Sequence, residues 1–248
     1  HVVGGPLGLR PAGGGVVVGE RHDVRSEEIV LGAGADGVID CLAQVALDPG
    51  DEIVVGWPSF PSPVIDALKL GAVARQIPLR DGRYDLDAML DAVGSRTKLV
   101  YVCHPNNPTS TSNTQAELDD FFGRVPDHVL TVLDQAYFEY VDDPDYPDGV
   151  EEYLKEGARV IVLRTFSKIY GLAGLRVGYG LAPAEVATAI GKVRRAFDVN
   201  QQAQDAALAS IDDTQEVERR RRANADQRPR VEQALREHGF EPAGPAGG

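Results

Sequence analysis

Short apolar runs alternate with amphipathic stretches along most of this 248-residue chain. The runs have the length of buried strands, and the stretches between them carry apolar residues at helical spacing. Strands are predicted at 52–55, 73–77, 99–103, 129–133, 160–163 and 177–181, with helices at 36–47, 61–70, 86–93, 117–122 and 184–195. Such an alternation predicts an α/β fold with a largely parallel sheet and helices on its faces.

The alternating pattern divides the chain into three parts. Residues 1–26 are rich in glycine and predict an irregular segment, whereas residues 27–200 predict one large domain. Residues 201–248 become helical and charged, and they predict the start of a smaller C-terminal domain. The basic run at 218–222 is interpreted as a solvated helix face.

Composition narrows the class of function. A net charge of −13 argues against nucleic acid or an anionic membrane as a partner. No apolar run reaches the roughly 18 residues of a membrane span, and no secretory leader is evident. The cysteines, Cys41 and Cys103, form no CxxC pair, so reduced core thiols, a cytoplasmic location and no metal site are predicted.

A glycine-rich turn at 32–37 matches the G-x-G-x-x-G pattern of dinucleotide-binding proteins. That pattern also requires an acidic residue at the end of the second strand, to hold the ribose. Here Asp51 and Glu52 precede the second strand, which ends in Gly56 and Trp57. NAD binding is therefore disfavoured, but a turn that opens a helix still offers backbone N–H groups to a phosphate.

The most informative segment runs from 164 to 179 and contains Lys168 and Arg176. Lys168 follows an apolar strand, at the end of the sheet where α/β proteins place ligands. Phe166 and Ile169 flank it and predict partial burial, which would favour an amine nucleophile over a solvated ammonium.

Two further segments place polar groups after strands. The segment 103–109 carries Asn107 between prolines, and the segment 132–137 carries Asp134 and Tyr137. Taken singly, Asn107 could mark a turn and Asp134 could cap a helix. Together they offer what pyridoxal 5′-phosphate needs: a carboxylate for its ring nitrogen and hydrogen-bond donors for its phenolate oxygen.

In this order, the segments 34–36, 105–109, 134–137 and 167–176 resemble fold-type I, pyridoxal-phosphate-dependent aminotransferases of class I and II. The similarity runs from about residue 27 to about residue 240 and is strongest to histidinol-phosphate and aromatic (phenylalanine) aminotransferases. It implies an α/β/α large domain, a homodimer, and transfer of an amino group from histidinol phosphate or an aromatic amino acid to a 2-oxo acid. Such a reaction belongs to amino-acid biosynthesis, including that of histidine.

The resemblance also implies a role for each matching residue. Lys168 would bind the cofactor through a Schiff base and act as the catalytic base. The others would bind the ring nitrogen (Asp134), the phenolate oxygen (Asn107, Tyr137), the ring face (Phe60) and the phosphate (Ala35, Asp36, Ser167, Arg176). Asn200 would lie near the substrate.

The chain also departs from the family pattern. Ser110, Gln135 and His104 stand where the family usually has Gly, Glu, and Asn or Ser. Most of the N-terminal arm and of the small domain, including the arginine that binds the substrate carboxylate, is expected to be missing. Two alternatives stay open: a pyridoxal-phosphate-binding homologue without turnover, and another fold-type I chemistry such as threonine-phosphate decarboxylation or β-lyase action.

Overall fold

The computed structural model describes residues 14–242, which form one seven-stranded sheet with helices packed on it. The strands are Ile29–Gly32 (β1), Glu52–Trp57 (β2), Val73–Pro78 (β3), Thr97–Cys103 (β4), Leu130–Asp134 (β5), Val160–Thr165 (β6) and Gly178–Leu181 (β7). The helices are Gly14–His22 (α1), Gly34–Ala46 (α2), Ser62–Lys69 (α3), Leu86–Asp91 (α4), Gln115–Arg124 (α5), Ala184–Val193 (α6), Gln201–Ile211 (α7) and Thr214–Glu237 (α8). The α/β prediction is confirmed.

The strand order is β1-β7-β6-β5-β4-β2-β3. The five strands from β2 to β6 are parallel, whereas β7 runs antiparallel to both β6 and β1. The chain moves outward from β2 to β3 and then returns past β2 to β4. Because parallel crossovers are right-handed, this reversal places α3 on one face and α4 and α5 on the other. The reversal also opens a crevice at the carboxyl ends of β2 and β4.

The central strands are apolar because both faces of the sheet are covered. Every residue of β5 and β6 is buried, and so is every residue of β4 except Lys98, which is partly exposed. On one face α2 packs against β7 and contacts α3 and α6, while α4 packs against α5 on the other face. The irregular loops after the strand ends are therefore held on a rigid layer.

The N-terminal prediction is wrong in part. Residues 14–22 form α1, where an irregular segment was expected; residues 1–13 lie outside the described part of the chain. Val18 is buried, and α1 contacts β1 and α7, so tertiary packing outweighs the low helix propensity of the glycines. The helices α7 and α8 agree with the helical pattern after residue 200, while the domain boundary at that point stays a prediction.

Candidate active site

A cavity of about 270 Å³ lies at the carboxyl ends of β4, β5 and β6 and at the start of α2. All the residues predicted to contact the cofactor line it: Ala35, Asp36, Phe60, Asn107, Asp134, Tyr137, Ser167, Lys168 and Arg176. They come from five separate stretches of the chain. The topology therefore gathers the predicted set at one place.

Lys168 projects into this cavity from the loop that follows β6. Its Nζ lies 4.9 Å from the centroid of the Tyr137 ring. The lysine is exposed, so the prediction of partial burial is wrong. Its neighbours Phe166 and Ile169 are buried in the core, whereas the lysine lies on the exposed side of the loop. The amine is accessible to a ligand that enters the cavity.

One wall of the cavity is built to hold an anion. Helix α2 begins at Gly34, and no side chain caps its first N–H groups. Arg176 lies beside this helix start, with Nη2 3.4 Å from the carbonyl oxygen of Ala33 and Nη1 3.5 Å from the Ser167 hydroxyl. Free N–H groups, a hydroxyl and a guanidinium are the donors that bind phosphate.

Two backbone positions make this wall possible. Gly34 has a φ of +81°, and a Cβ there would lie 2.6 Å from Nη2 of Arg176. A Cβ on Gly178, the first residue of β7, would lie 2.4 Å from the backbone nitrogen of Ala35. The absence of both Cβ atoms lets Arg176 and β7 approach the helix start closely.

Asp134 supplies a buried carboxylate to the same cavity. Its Oδ2 accepts a hydrogen bond of 2.5 Å from the Tyr101 hydroxyl, and its Oδ1 accepts one of 3.0 Å from the backbone N–H of Ala136. Burial raises the pKa of Asp134, while these two hydrogen bonds and the charge of Lys168 act in the opposite direction. A cationic group bound against this carboxylate would favour its ionised form further.

Tyr84, from the segment between β3 and α4, connects two of the site loops. Its hydroxyl is hydrogen-bonded to Ser59 at 2.7 Å, donates to Asn106 at 2.8 Å, and accepts from the backbone N–H of Cys103 at 3.1 Å. Ser59 and Asn106 directly precede Phe60 and Asn107. Tyr84 could not be identified from the sequence, because only the fold brings it beneath both loops.

Asn200 does not line this cavity. It is the N-cap of α7, where its side chain accepts a hydrogen bond of 2.8 Å from the backbone N–H of Ala203. Its Nδ2 also donates to the carbonyl oxygen of Leu175 at 3.5 Å, and its place near the substrate stays a prediction. Asparagine is a preferred N-cap residue, and this local role accounts for its position.

A second, larger cleft of about 710 Å³ shares Asn107, Tyr137 and Lys168 with the first cavity. Its far wall is formed by α8, which contributes Arg228 and Val231 among others. Asp134 does not line this cleft, so a ligand there would reach the Lys168 amine without contacting that carboxylate. The two cavities together offer room for a cofactor and a second small molecule.

The basic run in α8 is only partly the solvated face that was predicted. Arg219 and Arg222 are exposed, but Arg220 is half-buried and donates a 2.7 Å hydrogen bond to the carbonyl oxygen of Ile169, next to Lys168. Its Nε also donates to Glu216 at 2.7 Å. Helix α8 is thereby attached to the loop that carries the lysine.

None of the described helices is long and apolar enough to cross a membrane. No group of three or more His, Cys, Asp or Glu side chains within residues 14–242 is arranged to hold a metal ion.

Comparison with known proteins gives a consistent result. The family model for aminotransferases of class I and II matches residues 17–248. Histidinol-phosphate aminotransferase 2 of Carboxydothermus hydrogenoformans is 48% identical over 81% of this chain and 55% of its own length. An aromatic amino acid aminotransferase of Streptomyces avermitilis is 48% identical over 89% of this chain and 62% of its own length.

A solved structure supports the same relationship. The histidinol-phosphate aminotransferase of Sinorhizobium meliloti, in complex with pyridoxal 5′-phosphate, superposes with a TM-score of 0.88 and 28% identity. The match covers 94% of this chain and 63% of that one. This chain thus spans little more than half of the length of the curated relatives it matches.

Proposed function

The chain belongs to the aminotransferase class I and II family, and on that premise we propose that it binds pyridoxal 5′-phosphate in the cavity around Lys168. The proposed activity is transfer of an amino group from histidinol phosphate or an aromatic amino acid to a 2-oxo acid. The observation that carries the proposal is the donor set of this one cavity. It combines an accessible amine, a buried carboxylate and an uncapped helix start with an arginine beside it.

The cavity fits this cofactor in its chemistry. The backbone N–H groups of Ala35 and Asp36, the Ser167 hydroxyl and the Arg176 guanidinium would bind the phosphate, where added Cβ atoms at Gly34 and Gly178 would close the space. Lys168 would hold the cofactor covalently. The relative from Sinorhizobium meliloti was solved with this cofactor, which supports the assignment.

The remaining side chains would orient the ring. Asp134 would pair with the ring nitrogen, Asn107 and Tyr137 would hydrogen-bond the phenolate oxygen, and Phe60 would stack on the ring face. The cofactor supplies an electron sink that stabilises the negative charge developing at the substrate Cα. Asp134 favours that role, because its carboxylate keeps the ring nitrogen protonated.

Lys168 is the group placed to move a proton. With cofactor and substrate bound, the Nζ of Lys168 would be the base that takes up the proton of the substrate Cα. The larger cleft opens directly onto this amine and would hold the amino donor. The aromatic ring of Tyr137, whose centroid lies 4.9 Å from Nζ, lines both cavities beside the amine.

The cofactor assignment is tested by titrating the full chain with pyridoxal 5′-phosphate and recording its visible spectrum. We expect a bound-cofactor band, and borohydride reduction should fix the cofactor mass on Lys168. Lys168→Ala should lose both signals, while Lys192→Ala, a matched change at an exposed lysine of α6, should keep them. A parent chain without the band would refute the proposed site.

The choice of reaction is tested by adding glutamate, histidinol phosphate and phenylalanine in turn to the loaded protein. Conversion of the bound cofactor to its amine form by one of them supports amino-group transfer and identifies the donor. A stable band that no donor changes would refute the transfer activity while the cofactor assignment stands. Release of carbon dioxide or of a β-substituent would indicate a different chemistry on the same scaffold.

We further propose that the chain forms a homodimer. Ile65 and Leu68 on α3 and Val73 on β3 are exposed apolar side chains at one edge of the sheet. Exposed apolar groups of this kind favour a protein–protein contact. Sedimentation equilibrium should give a dimer for the parent and a larger monomer fraction for Leu68→Asp. A monomeric parent at high concentration would contradict the proposal.

A further inference from the structure

Tyr101 lies beneath the cavity, two residues before Cys103 on β4. In the register of the sheet Tyr101 pairs with Val132, and Cys103 pairs with Asp134. Residues two apart on a strand share a face, so the Tyr101 ring lies diagonally below Asp134 on the cavity side. A tyrosine is long enough to span that diagonal, and its hydroxyl reaches Asp134 Oδ2 at 2.5 Å.

The environment of Tyr101 favours the protonated hydroxyl, which can donate a hydrogen bond. Its side chain is fully buried, and burial followed by the charge of Asp134 raises its pKa well above the ordinary tyrosine value. The protonated phenol, which can donate to Asp134, is therefore favoured. A buried carboxylate facing a permanent donor is better stabilised in its ionised form than one facing an apolar wall.

Tyr101 and the backbone N–H of Ala136 hold different oxygens of the same carboxylate. Two hydrogen bonds on two oxygens fix the plane of the carboxylate as well as its position. Lys168 favours the ionised form through its charge, and Asp36 opposes it. Tyr101 is thus the uncharged side chain that orients the Asp134 carboxylate.

We propose that Tyr101 is a positioning residue that orients the Asp134 carboxylate toward the ring nitrogen of the cofactor and keeps that carboxylate ionised. The inference rests on the proposed function, since it assigns Tyr101 a role through the cofactor partner Asp134. Without the phenol, Asp134 is a buried carboxyl with one hydrogen bond fewer, so its ionised form is less stable. The proton between Asp134 and the ring nitrogen then lies more on the carboxyl group. The ring nitrogen then becomes less protonated, and the cofactor binds less tightly.

The test compares Tyr101→Phe with Tyr153→Phe. Tyr153 is a matched control, because its hydroxyl also donates to an aspartate, Asp119 at 3.0 Å, but neither residue lines the cofactor cavity. The first measurement is the chemical shift of the ring nitrogen in bound, isotope-labelled pyridoxal 5′-phosphate near neutral pH. The second is the dissociation constant of the cofactor from the full chain.

For Tyr101→Phe we expect the ring-nitrogen shift to move toward the unprotonated value and the dissociation constant to rise about tenfold. Tyr153→Phe should retain the parental values of both. An unchanged ring-nitrogen shift in Tyr101→Phe would overturn the inference, even if the variant were less stable. A parent chain that gives no cofactor band at all would instead refute the proposed function, so the two failures are distinguishable.

If Tyr101→Phe fails to fold, as circular dichroism and thermal unfolding would reveal, a second variant tests the same inference. Replacement of Tyr101 by 3-fluorotyrosine keeps the shape of the side chain and makes its hydroxyl a stronger donor. The ring-nitrogen shift should then differ from the parental value, whereas the same replacement at Tyr153 should leave it unchanged. Identical shifts for both replacements would overturn the inference.

Discussion

The guanidinium of Arg176 lies against the backbone of Gly34, so closely that a Cβ at Gly34 would be 2.6 Å from Nη2. Gly34→Ala should therefore displace the arginine from the helix start, and its φ of +81° would add backbone strain. We expect cofactor affinity to fall by roughly tenfold or more, as loss of a charge-assisted contact implies. Spectroscopic titration with pyridoxal 5′-phosphate measures this change.

Gly94→Ala is the control for that experiment, because an added Cβ there meets no atom within 4 Å. It should retain parental affinity. If Gly34→Ala bound the cofactor as tightly as the parent, Arg176 would not be a phosphate ligand.

Ser110 occupies a strained position in the loop that carries Asn107. Its φ is 57°, in the left-handed region, and its backbone N–H donates to the Asn106 carbonyl oxygen at 2.8 Å. Because glycine adopts this conformation without a steric cost, Ser110→Gly should stabilise the protein by about 0.5–1 kcal/mol. Urea unfolding measures the difference. Ser110→Ala keeps the Cβ and should give no gain, and an equal gain in both variants would contradict the strain.

His22 on α1 makes folding sensitive to mild acid. Burial, followed by the charge of Arg164, lowers its pKa from 6.5 to about 4, and its Nε2 lies 3.0 Å from the Tyr179 hydroxyl. A lowered pKa means that the unfolded chain takes up the proton first as the pH falls. The stability linked to neutral His22 is complete above pH 6.5 and is lost toward about pH 4.

Between about pH 7 and about pH 5 this linkage should cost the parent chain roughly 2 kcal/mol of unfolding free energy. His22→Gln should be less stable near neutral pH and should lose less over the same range. His128 is exposed, so His128→Gln should follow the parental pH dependence. If the unfolding free energies of His22→Gln and of the parent changed equally with pH, protonation of His22 would not be coupled to folding.

Arg220 should restrain the loop that carries Lys168. It donates to the Ile169 carbonyl oxygen at 2.7 Å, and it shares Glu216 with Arg219. Arg219 is exposed, and among residues 14–242 its side chain bonds to Glu216 only. Arg220→Met keeps the apolar stem but removes the contact with the loop. We expect faster hydrogen exchange in residues 166–177 of this variant, and unchanged exchange in Arg219→Met. Equal exchange in both would refute the restraint.

The strands, and the clustering of the residues expected to bind the cofactor, could be predicted from the sequence for one physical reason. In a parallel sheet the carboxyl ends of adjacent strands meet at one edge, so Asn107 and Asp134, each near a strand end, must lie close together. Lys168 follows β6 at the same edge. The apolar runs identified the strands because both faces of this sheet are buried.

The other features of the fold and the site depend on contacts between residues that are distant in sequence. Tyr101 reads as one more apolar strand residue until the register places it under Asp134. Arg220 reads as part of a charged helix face until α8 packs near Ile169. The exposure of Lys168 could not be inferred from its apolar neighbours, because those side chains turn inward while the lysine turns outward. Helix α1 forms through packing that its glycines do not predict.

The antiparallel direction of β7 has a consequence for how the family can vary. Since Thr165 pairs with Gly178, the twelve intervening residues 166–177 form the closed end of a hairpin that carries both Lys168 and Arg176. The proposed covalent anchor and the proposed phosphate ligand are therefore separated by a length of chain that the sheet fixes at both ends. An insertion there would change the span between them, whereas an insertion at the opposite, amino-terminal edge of the parallel strands would leave it intact.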